Sequence, residues 1–294
     1  MAQREDVSRV PEGAVAAGAM VALTLVYSAP MPGVGSRYTD AGVAHESRML
    51  SAPAVGQAVA GAGARGVGQT VLEAVLASRR VAGYADPRAG GFLAPLARAA
   101  LRAEPLRSVL RGLGREDLLA FARALSVSGS GGALAGAVQI SLEAGEETTL
   151  REVVRFAADR DPLAREYARN FEISGQLARN VLLSALSRAD SARAALVHTY
   201  LEVLSEVPDL DVAARANRRE AEEVSRMARG VQKSGGVYSR RGLQAVNNLD
   251  GALRADSRLA PTATESLVAA AAFMVSLEHG PEALSYRLQP ARQR

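Results

Sequence analysis

Apolar positions recur with helical spacing along almost the whole chain. Val67, Val71, Leu72, Val75 and Leu76 share one face over 66–81, the spacing of an amphipathic helix. Asp161-Pro162 is a helix-start signature with proline in the first turn, and Leu163, Tyr167, Phe171 and Leu177 continue the pattern behind it. Leu196, Tyr200, Val203 and Leu204 predict another helix, stopped by Pro208. A charged helix over 218–231 runs to Gly235-Gly236. Leu243, Val246, Leu249 and Leu253 form the next, and Leu267, Ala270, Ala271 and Met274 the last. No stretch alternates with the period of two that a half-buried strand needs. The pattern predicts an all-α protein, read as a single compact multi-helix domain over 1–280 with a basic tail over 281–294.

Three breaks interrupt the helices. Residues 28–35 read Ser-Ala-Pro-Met-Pro-Gly-Val-Gly, a rigid turn behind a first apolar helix. Residues 83–91 form a polar loop. Residues 126–136 form a glycine-rich one that could present backbone N–H groups to an anion and mark a seam. That loop lacks the lysine and hydroxyl of a P-loop. The apolar run at 13–27 is about 15 residues, short of the ~20 that span a bilayer. Arg4 and Arg9 precede it, with Tyr27-Ser28-Ala29 as a cleavage-like end, but Glu5, Asp6 and Glu12 spoil a secretory n-region. A buried first helix, no membrane partner and a cytoplasmic location are the expectation.

Composition agrees with helices and narrows the chemistry. Aromatics are 4% and tryptophan is absent, so small aliphatic side chains must fill the core. Of 35 basic residues one is a lysine, Lys233, and the 31 acids interleaved with them leave a net charge of only +4. Arginines spread from Arg4 to Arg294 are not the clustered footprint of a nucleic-acid binder. Arg287, Arg292 and Arg294 read as a solvated end. Without cysteine there is no thiolate nucleophile, disulfide or cysteine-held metal. His45, His198 and His279 are too dispersed for a histidine metal site, which leaves oxygen-ligated Mg²⁺ open.

Several polar clusters sit at helix ends, where unpaired backbone groups collect. Asp159-Arg160-Asp161-Pro162 offers two carboxylates for Mg²⁺, or an N-cap with a surface ion pair. Asp209, Asp211 and Arg215 repeat the theme. Lys233-Ser234-Gly235-Gly236 is either a helix C-cap or a phosphate contact. Arg37-Tyr38-Thr39-Asp40 followed by His45-Glu46 could grip a nucleotide or cap a helix. His198, at the polar edge of its helix, reads as a structural histidine or a base.

Taken in order, these pieces resemble the triphosphoribosyl-dephospho-CoA synthase family, all-helical ATP:dephospho-CoA triphosphoribosyltransferases, from about Ala14 to Gly280. The family turn Pro-Lys-Pro-Gly is matched by Pro30-Met31-Pro32-Gly33, and its Ala-His by Ala44-His45. Its glutamate-before-arginine helix resembles Glu73 to Arg79-Arg80. Asp159-Arg160-Asp161 with Tyr167 and Phe171 matches an Asp-Arg-Asp element of divergent members. Asp-Thr-Asn-Val-Ala-Ser-Arg looks like Asp209 to Arg215, Lys-Gly-Gly-Ile like Lys233 to Val237, and Asp250 follows at a fitting distance. Three elements depart. Met31 stands for the lysine, Gly83-Tyr84-Ala85-Asp86 for Gly-x-Asn-Thr, and Pro261-Thr262-Ala263-Thr264-Glu265-Ser266 for Pro-Gly-Gly-Ser-Ala-Asp.

The resemblance implies transfer of the triphosphoribosyl unit of ATP to the 2′-hydroxyl of 3′-dephospho-CoA with loss of adenine. It assigns Asp159 and Asp161 to Mg²⁺ and Asp209 or Glu73 to the base. It assigns Arg37, His45, Arg215 and Lys233 to the nucleotide and its phosphates. ATP is then a substrate, and a homodimer is compatible with it. The departures leave two alternatives open, a divergent enzyme acting on another nucleotide or phosphorylated substrate, and a non-catalytic helical interaction protein.

Overall fold

Asp-Pro and capping-box pairs start the helices of this chain, and left-handed residues end many of them. The computed structural model describes residues 9–38, 43–145 and 147–285, and every regular element among them is helical. Arg4, Glu5, Asp6, Thr39, Asp40, Arg287, Arg292 and Arg294 lie outside the described residues. Internal contacts divide the chain into two units, residues 1–20 with 43–172 and residues 21–42 with 173–294. The divide at Glu172/Ile173 replaces the seam expected in the glycine-rich loop, which lies inside the first unit.

The first unit takes the start of α1 (Glu12–Ser28), then α2 (His45–Ala60), α3 (Val67–Ala82), α4 (Pro87–Arg102) and α5 (Leu106–Arg111). It continues with α6 (Arg115–Ser128), α7 (Ala133–Glu143), α8 (Leu150–Ala157) and α9 (Pro162–Ala168). Its centre is α3, packed on α2, α4 and α6. The predicted face of α3 is the buried one, with Val67, Val71, Leu72 and Val75 all interior. Gly68 lets α6 approach closely: its N–H donates to Asp117 Oδ1 at 2.8 Å, and a Cβ there would lie 2.2 Å from the Asp117 carbonyl oxygen. Gly68→Ala should therefore force the two helices apart and destabilise the protein by about 1–3 kcal/mol. The measurement is a lower urea midpoint at unchanged m-value.

Two expected loops are shorter than the sequence suggests. Asp86 caps α4 by accepting from Arg88 N at 2.8 Å, so the polar run at 83–91 turns helical at Pro87. The glycine-rich loop shrinks to 129–132 between α6 and α7. There the Ser130 N–H is spent on the Leu125 carbonyl and Ser128 Oγ, and the Gly129 N–H on Ser126, which uses up donors an anion would need. The helix expected through Leu163 to Leu177 breaks after Ala168. Asn170 and Phe171 are both left-handed (φ 54° and 57°), and a π-helix covers Glu172–Ala178. Burying the Phe171 ring edge-on against Phe92 and beside Tyr167 offsets that strain, since both effects are of order 1–3 kcal/mol.

The second unit takes the end of α1 and the proline turn with α10 (Arg179–Arg188), α11 (Ala192–Glu206), α12 (Leu210–Arg215) and α13 (Arg218–Lys233). It closes with α14 (Arg240–Arg254), α15 (Thr262–His279) and α16 (Glu282–Ser285). α11 and α15 form its core: Leu196, Tyr200, Val203, Leu204, Leu267, Ala270, Ala271 and Met274 are all buried, as their spacing predicts. Leu243 is the exception on α14, being exposed while Val246, Leu249 and Leu253 face inward. The stretch Ser257–His279 is long and apolar enough to cross a membrane, yet 78% of its apolar window is buried inside the fold, as in a core helix.

Candidate active site

Within the second unit, five segments meet: the turn behind α1, α11, α14 and the starts of α12 and α15. The turn behind α1 is stiffened by Pro30 and Pro32, and Gly33 takes a left-handed φ of 76°. A Cβ on Gly33 would lie 2.9 Å from the Cβ of Leu253, so the turn sits directly on α14. Asp250 Oδ1 accepts the Gly33 N–H at 2.8 Å. Arg254, one helical turn later, bonds Asp250 Oδ2 at 2.8 Å and reaches the Val34 carbonyl at 2.8 Å. From α11, the buried Tyr200 hydroxyl donates to the Pro32 carbonyl at 2.8 Å. The backbone of the turn is thus held from two helices.

The start of α12 is joined to the start of α15 through the side chains of Asp209, Asp211 and Arg215. Asp209 caps α12, its Oδ1 accepting from Asp211 N (2.9 Å) and Val212 N (3.1 Å). Its Oδ2 accepts from Thr264 N (2.7 Å) and the Thr264 hydroxyl (2.8 Å). The half-buried Asp211 takes the Thr262 hydroxyl on Oδ2 at 2.5 Å. Arg215 returns across the same gap, donating from Nε to the Asp211 carbonyl at 3.1 Å and from Nη2 to the Ala260 carbonyl and Thr262 Oγ1. Its Nη1 donors have no partner among the described residues.

Electrostatics tie the parts together. Burial, then the charges of Asp209, Glu265 and Asp250, push the Tyr200 phenol well above its ordinary range, against the opposing charge of Arg254. Burial, then the neighbouring Asp211 carboxylate, push Asp209 up to about 6, against the pull of its Thr264 and Val212 donors. The carboxylates nevertheless do not close into a metal cage. Among the described residues no group of three or more ligand-type side chains is placed to hold an ion.

The sequence-predicted residues divide between the units. Asp209 and Arg215 come together as described. Lys233 ends α13, exposed, followed by Ser234 and a left-handed Gly235 that stop the helix, so the capping reading is realised there. Arg37 is exposed, with its guanidinium 5.4 Å from the Tyr38 ring centre. His198 packs on Tyr238, near Gln232 and Glu202, and burial followed by Arg188 lowers its pKa.

The remaining predicted residues belong to the first unit. Asp159 is exposed and 3.6 Å from Arg169, while Asp161 is buried and caps α9 through Ala164 N at 3.0 Å. One carboxylate is paired with a cation and the other is committed to a helix start, so the two as they stand do not fit a metal site. Glu73 is half-buried on α3. His45 opens α2 behind Ala44, which makes no side-chain cap, and its buried Nδ1 has no hydrogen-bond partner among the described residues. Sequence reasoning missed the roles of Asp211, Tyr200, Thr262, Thr264 and Arg254. The two threonines lie inside an element that departs from the family pattern, and their hydroxyls serve the aspartates that match it.

Comparison with known proteins bears on this site directly. A solved structure from Archaeoglobus fulgidus, provisionally described as a triphosphoribosyl-dephospho-CoA synthase, is similar with a TM-score of 0.61 at 26% identity. The match covers 78% of this chain and 98% of that one. No curated protein matches the chain. The model of the ATP:dephospho-CoA triphosphoribosyl transferase family matches residues 22–284, which include all five segments of the site. The chain belongs to the ATP:dephospho-CoA triphosphoribosyl transferase family.

Proposed function

We propose that this protein transfers the triphosphoribosyl unit of ATP to the 2′-hydroxyl of 3′-dephospho-CoA, with Asp211 as the general base and Asp209 as its positioning residue. The observation that carries the reading is the aspartate pair fixed by Thr262 and Thr264 at the meeting of α12 and α15. A carboxylate has about four lone-pair positions, and Asp209 has all of them occupied by protein donors inside the core. Asp209 therefore fixes geometry, and Asp211 beside it supplies the basic oxygen.

In the transfer, the acceptor oxygen bonds to the ribose C1′ as the C1′–N9 bond to adenine breaks. The hydroxyl proton passes to Asp211, and once the C1′–N9 bond has broken that proton is returned to N9 of the departing adenine, which restores the carboxylate. Carboxylates in this corner also stabilise positive charge developing on the sugar. Arg215, through its Nη1 donors, is suited to the triphosphate, and Lys233 and Arg37 are further exposed cations. Mg²⁺ would enter on the triphosphate itself, since it needs only one or two carboxylates beside phosphate oxygens and water. The product is the precursor of an acyl-carrier prosthetic group, and ATP as substrate fits a cytoplasmic setting.

No observation favours the non-catalytic alternative or another nucleotide substrate. The test is chromatographic detection of adenine after incubating folded protein with ATP, Mg²⁺ and dephospho-CoA. Stoichiometric adenine that depends on dephospho-CoA is the predicted outcome. Its absence at high protein concentration would remove the reading.

A further inference from the structure

The first unit carries a pocket of about 220 Å³ that the transfer reaction does not use. Four arginines line it, Arg107 and Arg111 from α5 and Arg151 and Arg155 from α8. Backbone bonds from Leu150 N to the Gly114 carbonyl (3.1 Å) and from Arg151 N to the Leu113 carbonyl (3.3 Å) hold α8 against the segment leaving α5. Each pair is spaced i, i+4, so both members project from the same helix face. Like charges at that spacing repel, and this protein places two such pairs around one cavity.

In a chain with 31 acids, arginines without partners are informative. None of these four makes a salt bridge or a side-chain hydrogen bond among the described residues. The nearby acids are turned to other work. Glu152 is bonded to the Thr149 N–H and hydroxyl at 2.8 Å, Asp159 faces Arg169, and no carboxylate lines the pocket. Tyr167 forms part of the wall, anchored by its hydroxyl to the Gly91 carbonyl at 2.6 Å, and the left-handed Asn170 sits beside it. Leu110, Val154 and Ala168 complete the lining.

We propose that this pocket binds a small molecule through a chain of linked phosphates. Guanidinium forks match phosphate oxygens in pairs. One phosphate, at roughly −1.5 to −2, would leave about half of four positive charges unmatched, whereas a di- or triphosphate balances them. The volume suits such a chain and falls below the roughly 300 Å³ of a drug-sized ligand site. Inorganic polyphosphate and the phosphate tail of a nucleotide share this chemistry.

The test is calorimetric titration of the full chain with tripolyphosphate at low salt, where screening is weakest. Wild type should bind it more tightly than orthophosphate. The double variant Arg111→Ala/Arg155→Ala should bind about 100-fold more weakly, about tenfold for each guanidinium–phosphate hydrogen bond removed. Arg218→Ala, which breaks an exposed pair with Glu222 on α13, is the charge control and should leave binding unchanged. Because all four arginines are at least partly exposed, the variants should fold, and circular dichroism together with Arg111→Gln/Arg155→Gln checks this. A titration with ATP separates the sources. Tighter binding than tripolyphosphate, abolished in the same variant, identifies a nucleotide tail, and weaker binding identifies the free anion. No heat with tripolyphosphate, or equal affinity in wild type and the double variant, overturns the proposal. The readout needs neither dephospho-CoA nor turnover, so it stands or falls separately from the transfer reading.

Discussion

Asp211→Asn should lower kcat for adenine release by about 100- to 10,000-fold, the usual contribution of a positioned general base. Asparagine keeps the size of the side chain and can still accept the Thr262 hydroxyl, so α12 and α15 should remain joined and KM should change little. A fall in kcat at constant KM is the signature of an interaction made in the transition state. Steady-state kinetics by adenine chromatography, with unfolding curves on the same samples, separate this from a folding defect. Activity within a few-fold of wild type would move the base away from Asp211 and return Glu73 to consideration.

The second large effect concerns Asp209 and pH. Its folded-state pKa of about 6 lies above the roughly 3.9 of an unfolded aspartate. Between those values the folded protein keeps a proton that the unfolded chain releases, so stability falls as pH rises through that window. The loss attributable to Asp209 should be about 2 kcal/mol from pH 4 to pH 6 and about 3 kcal/mol over the whole transition, levelling above pH 7. In Asp209→Asn this slope should disappear, so the wild-type-minus-variant stability difference declines across the window. Urea unfolding at several pH values gives that difference directly. A parallel pair of curves would show that the carboxylate is not burdened by burial.

The helical class was legible because three apolar faces, those of α3, α11 and α15, are strictly periodic and truly buried. Boundaries were legible where a local signal decides them, as at Asp161-Pro162 or Gly235. Periodicity ran through the break at Asn170 and Phe171 because two left-handed residues leave no mark on apolar spacing. It also extended the loop at 126–136, where serine and glycine look like loop although α6 runs to Ser128. At the site, Asp209 could be picked out by its neighbours in sequence. That it is saturated, and that Asp211 holds the Thr262 hydroxyl beside it, depends on Thr262 and Thr264, more than fifty residues away. The arginine pocket was hidden for a different reason: in a chain with 34 arginines, pairs at i, i+4 look like composition until two helices bring them together.

The clamp on the proline turn also sets when the site can exist. Gly33 and Asp250 are 217 residues apart, Val34 and Arg254 are 220 apart, and Pro32 and Tyr200 are 168 apart. At a synthesis rate of about 5–20 residues per second, roughly 10–40 s pass between translation of the turn and arrival of Asp250. Contacts of such long sequence separation are closed late and slowly. During that interval the turn lacks the hydrogen bonds that later fix it. The first unit's helices, built from nearer neighbours, can already have packed by then, so the clamped turn is among the last features completed as the nascent chain folds.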